Sequence, residues 1–117
     1  MIDGELPCII RGIYHHPFFA KWWLTQPEKD LGRLGFLIRQ AVHARCIMNN
    51  NLSWLSDATP EPDLPELIWF PQHASRATYI ELARREPRMA CSAARACMHA
   101  NYEEAFDKVA WEPSYRI

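Results

Sequence analysis

Apolar residues recur at spacings of three and four along most of the chain, most regularly between Thr78 and Val109. Tyr79, Leu82 and Ala83 fall on one helical face while Glu81, Arg84 and Arg85 point elsewhere, and Thr78 with Glu81 reads as a capping box that starts this helix. Pro87 cannot continue it, but its fixed φ suits the first turn of another, so a corner is predicted there. The next run puts Ala90, Ala93, Ala94, Cys97 and Met98 on one stripe, whose small side chains allow a close neighbour. Asn101 stops that helix and, with Glu104, reads as the cap of a last one carrying Ala105, Phe106, Val109 and Ala110.

Upstream, the pattern changes from alanine-rich to aromatic. Pro17 opens a short helix loaded with Phe18, Phe19, Trp22 and Trp23. A capping box from Thr25 to Glu28, with Pro27 in its first turn, then opens the longest predicted helix, in which Leu31, Leu34, Ile38, Ala41, Val42 and Cys46 recur at helical spacing. Leu37, Ala44, Ile47 and Met48 widen that stripe until two sides should be covered. Gly32 and Gly35 weaken it locally, and the asparagines at 49–51 end it. Residues 1–16, broken by Gly4, Pro7 and Gly12, read as an extended N-terminal arm. Between 57 and 74, Pro60, Pro62, Pro65 and Pro71 exclude a central strand or a continuous helix. Leu67, Ile68, Trp69 and Phe70 are too apolar for a solvated linker, so this segment is expected to lie ordered across the helices. A faint echo links Ala44–Met48 (ARCIM) with Ala94–Met98 (ARACM), each ending a helix that starts near a proline.

These elements predict an all-α fold of about five helices in one domain over 1–117: an arm at 1–16, a Trp-rich helix and a long helix at 17–56, the Pro-rich segment at 57–74 and a helical hairpin array at 75–111. A chain of 117 residues with 49% hydrophobic and 23% charged residues can build a modest core without staples. The net charge of −1, with Lys and Arg scattered, provides no footprint for a phosphate backbone, so nucleic acid is not an expected partner. No apolar run approaches the roughly 20 residues needed to cross a bilayer, so no membrane partner is expected either. The start MIDGELPCIIRG lacks a basic region followed by an apolar one. Cys46, Cys91 and Cys97, in Ala-rich helical surroundings, therefore read as buried reduced thiols of a cytoplasmic or nuclear protein.

No motif in the chain assigns a reaction, and no cofactor is expected. His43 and Cys46 are three apart on one helix face and could supply two metal ligands, with Cys91 or Cys97 and His99 supplying others, but no paired Cys-x-x-Cys motif supports them. A Cys/His nucleophilic pair drawn from the same residues lacks any sign of an oxyanion hole. His15 and His16 read as helix-entrance residues, and Glu103, Glu104 and Asp107 as a solvated helix start. Trp22, Trp23 and Trp69 are candidate contacts for a protein partner, because indole anchors dominate many interfaces. Arg84, Arg85 and Arg88 around Pro87 form a candidate positive corner, to which Arg95 adds. The oligomeric state has no signature.

The succession of helix, Arg-x-Pro corner, AARAC helix, turn and YEEAF helix over Thr78–Val109 resembles a helical segment of uncharacterised, ankyrin-like fungal proteins. Ala96, Cys97, Ala100 and Val109 stand where an ankyrin repeat has its paired alanines, glycine and terminal apolar residue, while the repeat's Thr-Pro-Leu-His opening is absent. The resemblance covers about a third of the chain, carries no catalytic residues and implies an interaction role. A non-catalytic protein-interaction module or assembly subunit is thus the expected function; the alternative is a small enzyme or metal-binding protein using His43, Cys46 and Cys97.

Overall fold

The computed structural model describes residues 6–25 and 35–111, and these form six α-helices with no strand among the described residues. The helices are α1 (Leu6–His15), α2 (Pro17–Leu24), α3 (Gly35–Met48), α4 (Arg76–Arg85), α5 (Ala90–Ala100) and α6 (Glu103–Trp111), with short 3-10 turns at Glu61–Asp63 and Pro87–Met89. The all-α expectation holds. The capping box from Thr25 to Glu28, and Leu31, Gly32 and Leu34, lie outside the described residues except for Thr25, which closes α2.

From Leu6 onward the expected N-terminal arm is instead helical, while residues 1–5 lie outside the described residues. Pro7 sits in the first turn of α1, where a missing N–H costs nothing, and Ile9, Ile10, Ile13 and Tyr14 then recur on the face turned to α3. Gly12 admits the ring of Phe19, which a Cβ there would meet at 3.2 Å, so α1 and α2 cross closely. His16 between them is extended, as the residue before a proline tends to be, and Pro17 starts α2 as the sequence predicts.

Two apolar clusters share α3. On one side Ile38, Ala41, Val42 and Cys46 pack with Ile13 and Ala20 from α1 and α2. On the other, Ala44, Ile47 and Met48 join Tyr79, Leu82, Ala93, Cys97, Ala105 and Val109 from α4, α5 and α6. That double coverage explains why the stripe on α3 is so wide. α5 packs against both α4 and α6, with Ala93 and Ala96 fully buried where the axes approach. The stripe on α5 is rotated from its predicted position, because Ala96 is buried while Met98 is 62% exposed.

Both α3 and α5 end in the same way. Asn50 (φ 62) and Asn101 (φ 59) adopt the left-handed conformation, which asparagine tolerates better than most residues. The next residues, Asn51 and Tyr102, donate backbone N–H to the carbonyls of Cys46 and Cys97 at 2.9 and 2.8 Å. Asn50 and Asn101 likewise donate backbone N–H to the carbonyls of Ile47 and Met98 at 2.8 and 3.2 Å, giving two Schellman closures. Asn101 therefore stops α5 as predicted but does not cap α6, which begins after Tyr102. The start of α4 also differs: its cap is Ser75, whose Oγ accepts from the Thr78 N–H at 3.3 Å. Asn50 Oδ1 accepts from both Ser75 N (2.7 Å) and Thr78 Oγ1 (2.8 Å), so Thr78 is spent on joining α4 to the end of α3.

The Pro-rich segment is ordered across the helices, as expected. Arg39 Nε donates to Asp63 Oδ1 (2.9 Å), Gln40 Nε2 donates to the Pro62 carbonyl (2.7 Å), and His43 Nδ1 bonds to the Asp63 carbonyl (2.8 Å). Three residues on one face of α3 thereby hold the Glu61–Asp63 turn, while Leu64, Pro65 and Ile68 are buried beyond it.

Candidate functional site

The structure distributes the candidate residues unevenly between core and surface. His43 stacks on Trp54 with ring centroids 4.2 Å apart, and burial holds its imidazole below its usual pKa against the opposing pull of the Asp63 carbonyl. Cys46 belongs to the cluster shared with α1 and α2, whereas Cys97 belongs to the cluster around α5, so the residues named for an enzyme or metal site are divided between two cores. Among the described residues no three His, Cys, Asp or Glu side chains converge as metal ligands would. Burial pushes the Cys97 thiol up to about 11 and raises Cys46 as well, which keeps both protonated near neutrality. Cys91, expected to be buried, is exposed, because the rotated stripe of α5 turns it outward.

The arginine corner is largely spent on the fold. Arg88 donates from Nε and Nη2 to the Glu86 carboxylate at 2.8 and 2.9 Å and from Nη2 to the Thr59 carbonyl at 2.9 Å. The hydrogen bonds from Arg88 hold the Glu86 carboxyl below the usual range, although Glu86 is itself nearly buried. Arg84 pairs with Glu81, and Arg85 reaches the Leu55 carbonyl at 3.3 Å. What the sequence shows as a patch of positive charge is thus a clip between the α4–α5 corner and the Pro-rich segment.

The tryptophans separate as well. Trp69 is half-buried and stacked on His99 at 5.0 Å, and Trp23 is half-buried between the rings of Phe19 and Trp22. Trp22 remains 52% exposed and Phe18, on the same face of α2, 85%, while Leu24, on a different face, is 49% exposed. Phe18 and Trp22 are one helical turn apart, with Lys21 Nζ 6.0 Å from the Phe18 ring centroid. Rings of this kind bury roughly 150–250 Å² each; covering the exposed parts, roughly 200 Å², would be worth about 5 kcal/mol before the costs of association.

A second feature went unnoticed in the sequence. Beneath α2, a cleft of about 650 Å³ runs to the C-terminal end of α3, walled by Pro17, Phe18 and Leu24 on one side and by residues 49–51 and Gln72 on the other. At its floor lies Arg45, 2% exposed. Its Nη1 donates to the Tyr14 carbonyl (2.6 Å) and its Nη2 to Asn49 Oδ1 (2.9 Å) and Gln72 Oε1 (2.7 Å), while Nε has no partner. Burial lowers its pKa, and Lys21 and Cys46 line the same cleft. An arginine in the last turn of a helix gives no sequence signal of burial, and the asparagine run after it reads only as a stop.

Compared with protein families, curated proteins and solved structures, the chain matches none. No helix among the described residues is long and apolar enough to cross a membrane.

Proposed function

We propose that this protein is a non-catalytic interaction module, acting in the cytoplasm or nucleus, whose α2 surface docks an apolar segment of a protein partner. The exposure of Phe18 and Trp22 on one face of α2 carries this reading, since both clusters of the fold are complete without them. Two exposed aromatics one turn apart suit the helix-in-groove or groove-on-helix contacts in which a few large anchors supply most of the affinity. The likeness of residues 78–109 to ankyrin-like helical segments points the same way. Neither the tied arginines nor the charge distribution favours nucleic acid as the partner.

A photo-crosslinking residue at position 18, used in the native cellular setting, identifies what lies against this face. The expected result is one dominant protein adduct that Trp22→Ser abolishes without altering the thermal midpoint. An adduct pattern dominated by lipid, or one unchanged by Trp22→Ser, would refute docking through α2.

A further inference from the structure

We propose that the cleft between α2 and the end of α3 binds a small organic phosphate, a phosphate monoester carrying an apolar group. Arg45 is the first reason. Arg39 and Arg88 each have a carboxylate partner in Asp63 and Glu86, whereas Arg45, the most buried of the three, has none among the described residues. All its acceptors are neutral oxygens. The last carbonyls of α1 and α3 lend partial negative charge, about half an elementary charge per helix end, but no full counter-ion.

The carboxamides around it supply the second reason. Asn49 and Gln72 turn their oxygens to Arg45, Asn50 Oδ1 accepts from Ser75 and Thr78, and Asn51 Oδ1 accepts from the Ser53 N–H at 2.9 Å. With each oxygen engaged, the donor capacity of these side chains lies on their NH₂ groups. Among the described residues no carboxylate lines the cleft, and Lys21, exposed at its rim, adds a second positive charge. A buried guanidinium and a lysine on one cleft, with carboxamide NH₂ groups as further donors along its wall, suit a phosphate monoester, which carries a charge of about −1.5 to −2 at pH 7. Pro17, Phe18 and Leu24 then provide an apolar wall for the group esterified to it. A volume of about 650 Å³ is that of a small-molecule site rather than a protein interface.

The test is titration of the ¹⁵N-labelled chain with phenyl phosphate at pH 7.5, following the side-chain NH₂ resonances of Asn49, Asn50, Asn51 and Gln72. Saturable shifts are expected, with a dissociation constant at or below about 1 mM, as a ligand of this size can reach. Benzoate and inorganic phosphate should bind at least about tenfold more weakly, one carrying less charge and fewer acceptor oxygens and the other lacking the apolar group. Lys21→Glu, on the exposed rim, should weaken binding by a similar factor. Gln72→Glu hands Arg45 the carboxylate it lacks, so it should raise the thermal midpoint while abolishing binding; this variant decides the matter even if Arg45→Met does not fold. Trp22→Ser, which removes the docking face, should leave phosphate binding intact, so the two proposals fail separately. Absence of shifts at 10 mM phenyl phosphate, equal affinity for benzoate, or unchanged binding by Gln72→Glu would overturn the site. Tighter binding of a phosphotyrosine peptide than of phenyl phosphate would overturn its assignment to a small ligand.

Discussion

Tyr79→Phe deletes one atom and tests how the Pro-rich segment is held. Tyr79 is fully buried in the core formed by α4, α5 and α6. Its hydroxyl donates to the Ile68 carbonyl at 2.7 Å and accepts from the Ala74 N–H at 2.9 Å, which bridges the two ends of the 68–74 stretch. Phenylalanine keeps the ring and the packing, but it strands a donor and an acceptor. An orphaned buried polar group costs about 1–3 kcal/mol, so a loss of about 3 kcal/mol is expected. For a domain of this size that is a fall in thermal midpoint of about 10 °C. Urea unfolding followed by circular dichroism should show the midpoint falling at unchanged slope. Burial also pushes the phenol up to about 12 from 10.0, so its contribution is complete below pH 10 and is lost as pH rises through about 12. Wild type should accordingly weaken over that range more steeply than the variant. A loss below about 0.5 kcal/mol, or identical alkaline slopes, would refute the claim that this hydroxyl anchors the segment.

Two further outcomes follow from the same burial pattern. Ellman's reagent at pH 8 should titrate Cys8 and Cys91 rapidly and reach Cys46 and Cys97 only on unfolding, since the first two are exposed and burial raises the pKa of the others. Fast reaction of four thiols would show that the cores open readily. His43, whose imidazole burial holds below 6.5, contributes stability that is present above that value and is lost as pH falls through the lowered native one. Denaturation midpoints at pH 8 and pH 5 should differ less in His43→Gln than in wild type, and equal differences would remove His43 as the cause.

Where periodicity carries the information, the sequence and the structure agree. The double stripe on α3, the corner at Pro87 and the ordered proline segment are all consequences of apolar spacing or of proline's missing donor, and each is found. Local capping chemistry was less decisive, because Thr78 and Ser75 are equally able to cap α4, and the choice fell to Asn50, which lies 25 residues before Ser75 and fixes both. The helix at Leu6–His15 is hidden for a related reason: Pro7 and Gly12 look like breakers, yet one stands in a first turn and the other makes room for Phe19. Met98 and Cys91 faced the wrong way because an alanine-rich helix has several nearly equivalent apolar faces, and packing selects among them.

Polar residues were harder to read than apolar ones because their roles depend on partners distant in sequence. The corner formed by Arg84, Arg85 and Arg88 resembles a binding patch when read along the chain, but Glu81, Glu86 and two loop carbonyls claim it. Arg45 carries the opposite lesson. Nothing next to it in sequence marks it as unusual, but the fold buries it, gives it neutral acceptors and surrounds it with amides whose oxygens are already engaged. The asparagines do this only because α3 ends there: the left-handed Asn50 reverses the chain, which aims one carboxamide at Ser75 and Thr78 and leaves its neighbours beside the guanidinium. One helix terminus thus both closes α3 and gathers carboxamides near a buried guanidinium whose Nε has no partner, and the proposed anion site rests on that combination.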